Sequence, residues 1–514
     1  MTTAAPVSSS NSPTTSSGTR SVSTVGEQLH KSPAVRAAID AIVAEVKSRS
    51  ATITDAKPGN PALKSSYEEL MKRAADVRGK PLLYPMLGSG IGNGPLVELA
   101  DGSVKWDMIC GIGVHFFGHS DTDLIERALS GAIDDTIKHG NLASNFEAYE
   151  FGEVLLREAK KHSKLKHAYV STSGAMANEN ALKVCFHKLF QRHLEVTDPA
   201  KMLAQFTPTP RVLAFKDCFM GRSMVMAQIG DSHAGREGLP NGVMVDYMPF
   251  WDEAAAERVG KTKFIDMCLW HLQQYVERYP GGHACFIFEM IQGEGGFNVG
   301  NRDYFKTLMD YCKSKKIAVW DDEIQTFGRT NRMFAYEQFD LGDYVDVFCV
   351  GKMTQACATL WTEEFNPKTN ILSGTFTGEG SSFRVGTRVI DRLANGNYYG
   401  DNGMFAKHHA LFRQHAAALI AKHPQWFPDV DALGKGKDKL AAGQGGMMRL
   451  TPFGGDKSKI MNACKMCFEE GVVLFYCGHG PYHVRMLPPM PVMKEEYWPK
   501  VFACIEKGLA RVAG

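Results

Sequence analysis

The sequence predicts an α/β fold whose larger part is a mostly parallel sheet, and three observations carry that expectation. First, residues 316–320 (KIAVW) and 344–350 (YVDVFCV) are short, mostly apolar and rich in β-branched and aromatic side chains, as strands buried on both faces are. Second, similar runs recur at 168–171 (AYVS), 212–215 (VLAF) and the start of 285–296 (CFIFEMIQGEGG). Third, each run leads into a segment of charged, hydroxyl or glycine residues, and open α/β sheets bind their ligands at the carboxyl ends of the strands.

Taken from the N-terminus, residues 1–28 are expected to form a disordered tail, because Ser and Thr dominate to about Thr24 and Arg20 is the sole charge there. The tail lacks the apolar core of a secretory signal, and a single arginine is poor support for a mitochondrial transit peptide. Residues 32–48 place Val35, Ile39, Ile42, Val43 and Val46 at helical spacing. Gly88, Gly90, Gly92 and Gly94 are expected to form a glycine-rich turn, and 96–99 (LVEL) with Asp101-Gly102 carry a hairpin signature. That pattern argues against a dinucleotide fingerprint, which needs a helix after its glycines. Residues 445–450 and 472–475 read as strands near the C-terminus. The expected division is a segment 29–115 that contributes to a smaller α+β domain, a large sheet domain 116–390, and a C-terminal part of the small domain, 391–514.

Asp322 and Lys352 each fall just past a predicted strand. A buried carboxylate needs a cationic partner, and a buried lysine can lose its proton and become a nucleophile. Pyridoxal phosphate satisfies both: the lysine forms an imine with its aldehyde, and the acid keeps the ring nitrogen protonated so that the ring acts as an electron sink. The small-residue turn in 172–183 (TSGAMANENALK) opens a helix whose free N–H groups suit a phosphate. Phe219 is suited to stack on a flat cofactor and Arg222 to grip a carboxylate. Read singly, each of these residues has an ordinary explanation as a cap, a surface charge or a packing arginine.

The order SGAMANENALK, FMGRS, EMIQGEGG, DDEIQT and VGKMTQ resembles the class III, or omega, aminotransferases of the fold type I pyridoxal phosphate enzymes, from about Gly88 to the C-terminus. Within that family it is most similar to the L-lysine 6- and 4-aminobutyrate aminotransferases. The resemblance implies that Lys352 holds the cofactor and shuttles a proton, that Asp322 pairs with the ring nitrogen, and that Gln325 bonds the phenolic oxygen. Phe219 and Ile324 would pack the two ring faces, and Gly174 and Ala175, with Ser173 nearby, would seat the phosphate. Thr375 matches a threonine that reaches the phosphate across a homodimer interface, which would build each site from two subunits. Arg485 would bind the α-carboxylate of glutamate, Glu294 would pair with Arg485 while an omega-amine is bound, and Arg222 would hold the far carboxylate. The implied reaction moves the terminal amine of L-lysine or 4-aminobutyrate to 2-oxoglutarate. An acetylornithine or ornithine donor, an aminomutase, racemase or decarboxylase reaction, and a non-catalytic scaffold stay open beside it.

The sequence departs from the family pattern in three places. Met220 stands where histidine is usual, the usual glycine between Thr326 and Phe327 is missing, and 377–382 (TGEGSS) replaces a common Gly-Asn-Pro run. Composition excludes other classes: a net charge of +2 over 514 residues points to neither nucleic acid nor membrane, and no apolar run approaches the roughly 20 residues of a spanning helix. Twelve scattered cysteines suit a reducing, cytoplasmic setting, and Cys464 and Cys467 lie in an apparent helix without a second pair, so no metal site is expected.

Overall fold

The computed structural model describes residues 23–135, 138–196, 209–240 and 242–514. In chain order its strands are β1 (Gly88–Asn93), β2 (Leu96–Leu99), β3 (Val104–Asp107), β4 (Lys138–His139), β5 (Leu165–Ser171), β6 (Arg211–Phe215), β7 (Met244–Met248) and β8 (His283–Phe288). They continue as β9 (Ala318–Glu323), β10 (Val347–Val350), β11 (Cys357–Thr362), β12 (Gly378–Glu379), β13 (Ala441–Gln444), β14 (Met447–Leu450), β15 (Val472–Val473), β16 (Phe475–Cys477) and β17 (His483–Met486).

The large sheet has seven strands in the order β5-β11-β10-β9-β8-β6-β7. Every neighbouring pair is parallel except those made by β11, which runs antiparallel to both β10 and β5. The carboxyl ends of β5, β6, β8, β9 and β10 therefore share one edge, and each is followed by a segment the sequence marks for chemistry. Alternation along the strands sorts their side chains into two layers. Ala318, Trp320, Val347 and Cys349 pack with Ala177, Ala181 and Val184 of the Gly174–Val196 helix, whereas Val319 and Phe348 face Phe334 and Tyr336. Asp322 has the parity of Trp320 and so points toward the helix side, as the fifth residue of β9 and not just beyond it.

Two four-stranded sheets, β1-β2-β3-β15 and β13-β14-β17-β16, and an antiparallel pair, β12-β4, account for the other strands among the described residues. The glycine-rich stretch expected as a turn is a strand, β1, paired antiparallel with β2; glycine gives no β-branched signal, so its pattern did not announce it. The expected hairpin across Asp101-Gly102 is present as β2 and β3. The run 472–475 is divided at Leu474 between β15, parallel to β3, and β16, antiparallel to β17. Helical structure also begins inside the stretch expected to be disordered: Val25–His30 is a helix whose Thr24 and Glu27 form a reciprocal capping box. Residues 1–22 of that stretch lie outside the described residues. Among the described residues no helix is long and apolar enough to cross a membrane, and no group of His, Cys, Asp and Glu could hold a metal ion.

Asp321 and Glu323, on the opposite parity from Asp322, are fully buried, and neither is paired with a cation among the described residues. Burial pushes both carboxyls up, and the charge of Glu323 adds to the rise at Asp321. A carboxyl raised in the folded state contributes stability below the ordinary carboxyl range and loses it as pH rises through its folded pKa. Asp321→Asn is therefore expected to gain thermal stability relative to the wild type between about pH 5 and about pH 8. Melting curves across that range test this, and a constant gap between the two proteins would refute it.

Candidate active site

The five strand ends converge on a cleft of about 260 Å³. Gly174 and Ala175 enter it from the first turn of the Gly174–Val196 helix, where backbone N–H groups lack intrahelical partners. The segment after β6 supplies Phe219 and Arg222, Glu294 comes from the loop after β8, Asp322, Ile324 and Gln325 come from the end of β9, and Lys352 follows β10. Lys352 has a left-handed backbone (φ 49°) at the start of a short 3₁₀ turn, which swings the chain off the sheet. Ile324 is seated between two glycines: a Cβ at Gly174 would lie 2.9 Å from its Cγ2, and one at Gly351 would lie 3.1 Å from its Cδ1.

Desolvation governs the charges at the floor of the cleft. Asp322 accepts hydrogen bonds from the Ile324 N–H (2.9 Å) and from Asn178 Nδ2 (2.7 Å), but it has no cation partner among the described residues. Burial raises its carboxyl above the ordinary value. Lys352 makes no ion pair either, and burial lowers its ammonium despite the charges of Glu294 and Asp322. Glu289 accepts from the N–H groups of Phe219 (3.0 Å) and Gly293 (3.2 Å); burial, then the charge of Asp322, pushes it up to about 8.

Behind these groups Arg485, on β17, is fully buried and forms a two-pronged pair with Glu294 at 2.8 and 2.9 Å. Burial pushes the Glu294 carboxyl up, but the Arg485 charge and hydrogen bond outweigh it and hold the group below its ordinary value. Gln325 stands between them, with Arg485 Nη1 donating to its Oε1 at 3.3 Å and its Nε2 donating to Glu294 at 3.4 Å. Arg222 is exposed at the mouth, with its guanidinium 5.5 Å from the Phe219 ring centre.

Nine expected residues thus line the cleft together: Gly174, Ala175, Phe219, Arg222, Glu294, Asp322, Ile324, Gln325 and Lys352. Three do not. Arg485 lies behind Glu294; Ser173 is exposed, and its Oγ accepts from the Met176 N–H at 3.2 Å as a helix cap; Thr375 is exposed on a separate segment. The residues missed by sequence reasoning are Asn178, which ties Asp322 to the Met220 carbonyl (2.8 Å), and Glu289. Asn178 lies one helical turn after Gly174, which was its available signal. Met220 is buried and lines the cleft wall.

The residues fit pyridoxal phosphate. A desolvated carboxylate without a cation, a lysine whose proton is weakened by burial, and free helix N–H groups answer the ring nitrogen, the aldehyde and the phosphate. Fold and site define a pyridoxal-phosphate-dependent transaminase. The chain belongs to the class III aminotransferases: the model of that family, Aminotransferase class-III, matches residues 89–507. The chain is 29% identical over 367 residues to the mitochondrial acetylornithine aminotransferase of Eremothecium gossypii, covering 69% of this chain and 78% of that protein. It is 26% identical over 449 residues to the 4-aminobutyrate aminotransferase of Mycobacterium leprae, covering 83% and 92%. The solved lysine aminotransferase from M. tuberculosis superposes with a TM-score of 0.70 at 21% identity, over 86% of this chain and 99% of that one, a likeness of fold.

Two substitutions test whether Asp322 meets the cofactor while Asn178 only orients that carboxylate. Asp322→Ala is expected to lower kcat by roughly 10²–10³-fold, and Asn178→Ala by roughly 10-fold, measured in steady state with the cofactor saturating. Equal turnover of Asp322→Ala and wild type would remove Asp322 from its role.

Proposed function

We propose that this enzyme transfers the terminal amine of an omega-amino acid, L-lysine or 4-aminobutyrate, to 2-oxoglutarate, yielding a semialdehyde and glutamate. The observation that carries this reading is the Glu294–Arg485 pair at the cleft, 2.8 Å apart, with Arg222 exposed at its mouth. An omega-amine brings no carboxylate next to its reacting carbon, so Arg485 must be neutralised from within, and Glu294 does this. 2-Oxoglutarate does bring one, and its carboxylate takes the place of Glu294 on Arg485. Arg222, exposed and without an ion pair among the described residues, holds the far carboxylate of donor and acceptor alike.

Pyridoxal phosphate, when bound, supplies the electron sink and carries the amine between the two half-reactions. Asp322 holds the charge of the ring nitrogen, and Gln325 is placed to bond the phenolic oxygen. Phe219 and Ile324 pack the ring, while Gly174 and Ala175 offer N–H groups to the phosphate, with Ser173 capping the same helix turn. The Lys352 Nζ, its proton affinity lowered by burial, takes the proton from the amine-bearing carbon of the donor.

We place the enzyme in the cytoplasm as a homodimer whose sites are shared. Its twelve cysteines are free thiols, which supports a reducing setting. Thr375 is exposed beside Phe376, which is 63% exposed. Asn141 bonds both Gly374 and Tyr169, joining this segment to the region of exposed Leu142 and Phe146. That apolar patch supports a subunit contact that carries Thr375 to the partner's phosphate.

A donor screen against 2-oxoglutarate, comparing lysine, 4-aminobutyrate, ornithine and N-acetylornithine, is expected to yield glutamate fastest from lysine or 4-aminobutyrate. Absence of glutamate with every omega-amine would overturn the reading. Glu294→Ala is expected to slow the omega-amine half-reaction by roughly 10²-fold or more while slowing the glutamate half-reaction far less, read by single-turnover absorbance. Equal losses in both would show that Glu294 is no switch.

A further inference from the structure

Arg449 on β14 stands directly across from Arg485 on β17, so both side chains leave the same face of that sheet. Their surroundings differ. Arg485 is neutralised by Glu294, whereas Arg449, 7% exposed, has no carboxylate within ion-pair distance among the described residues. Its Nη1 donates to the Gly296 carbonyl and to Asn298 Oδ1 (2.8 Å) and lies 3.3 Å from His483 Nε2, while its Nε is buried without a partner. Burial pulls the guanidinium down to about 10, and burial with the Arg449 charge drives His483 well below its ordinary value, so the neighbouring ring stays neutral and adds no second positive charge. A buried cation left in this state is costly, and an anion relieves it.

Arg449 opens onto a cavity of about 530 Å³ that shares no lining residue with the cofactor cleft. The loop after β8 separates the two: Glu294 lines the cleft, whereas Gln292, Gly295, Phe297 and Asn298 line this cavity. Its wall includes the buried rings of Phe250, Trp251, Phe264 and Phe297. Most other charges that border it are engaged. Lys439 pairs with Glu257 at 3.3 Å, Asp217 with His479 at 3.7 Å, Asp252 caps the Ala255 N–H at 2.8 Å, and Glu253 accepts from the Trp251 indole at 2.8 Å. Lys216 is exposed.

We propose that this cavity is a second ligand site, distinct from the cofactor cleft, for a small organic carboxylate with an apolar or aromatic body. The carboxylate pairs with Arg449 beside Asn298, and the body lies against Trp251 and Phe297. One unneutralised guanidinium matches one negative charge, and the aromatic wall selects a carboxylate on an apolar frame over a free inorganic anion.

The test uses 3-phenylpropionate as probe, titrated into holoenzyme and followed by calorimetry and tryptophan fluorescence. Wild type is expected to bind it saturably with a change in Trp251 emission, while 3-phenylpropanol and inorganic phosphate neither match nor displace it. Arg449→Met is expected to weaken binding at least about tenfold, and Arg449→Lys less. Ala442→Trp, which fills the cavity from its half-buried wall and leaves Arg449 in place, is expected to abolish binding with the melting temperature retained. Arg222→Met is expected to bind as wild type does. The proposal fails if wild type shows no saturable binding, if Arg449→Met binds like wild type, or if Arg222→Met is the variant that loses the probe.

Discussion

The parallel register of β9 on β10, with Asp322 opposite Cys349, decides which carboxylates face the cofactor cleft. Three consecutive acids end this strand, and strand alternation gives Asp322 to one layer and Asp321 with Glu323 to the other. A slip of one residue would exchange them, placing two repelling carboxyls in the cleft and Asp322 in the aromatic layer of Phe334 and Tyr336. The register also sets the distance to Lys352, which follows Cys349 of the neighbouring strand by three residues, in the turn that leaves it. What holds it is burial on both faces: Trp320, Val347 and Cys349 on one side and Val319 and Phe348 on the other are all inaccessible to water. Two apolar layers thus position one charge.

The same desolvation that raises the Asp322 carboxyl and lowers the Lys352 ammonium makes every other charge near them expensive, and the fold meets this in different ways. Arg485 is neutralised from within by Glu294. Glu289 is stabilised by backbone N–H groups and has its proton affinity raised. Arg329, buried and carrying no ion pair among the described residues, donates to the carbonyls of Gln325 and Gly113 and so ties the turn after β9 to a left-handed loop at residues 110–113. The shortened turn at Thr326 and Phe327 lies within this tie, with the Arg329 N–H returning to the Thr326 carbonyl at 3.0 Å. The missing glycine is therefore accommodated in a turn held at both ends.

Most of the large sheet was legible because strands buried on both faces must be apolar throughout, as 212–215 and 347–350 are, although the run expected from 344 becomes a strand only after Asp346. The site was legible to the same extent, since ligand-binding segments of such sheets follow strand ends. Other features depended on interactions that a linear pattern does not carry. Asn178 sits in a quoted motif, yet its role arises only when the helix turn is laid against Asp322, 144 residues away. β1 is a strand because its backbone pairs with β2 and not because of any side chain. The division at Leu474 was hidden because both halves of the run are apolar, so nothing marks the point at which the chain leaves one sheet for another.

The distances spanned by these contacts bear on how the protein becomes active after synthesis. Asn178 meets Asp322 across 144 residues and Arg485 meets Glu294 across 191, so no local stretch of chain contains a working part of the site. Such contacts form after the loops between them have been closed, which makes them slow and places them late. Of the residues named at the site, Arg485 is also the last to be synthesised. A nascent chain can therefore assemble much of its large sheet before Arg485 exists, and the Glu294–Arg485 pair forms only once the chain has folded through β17.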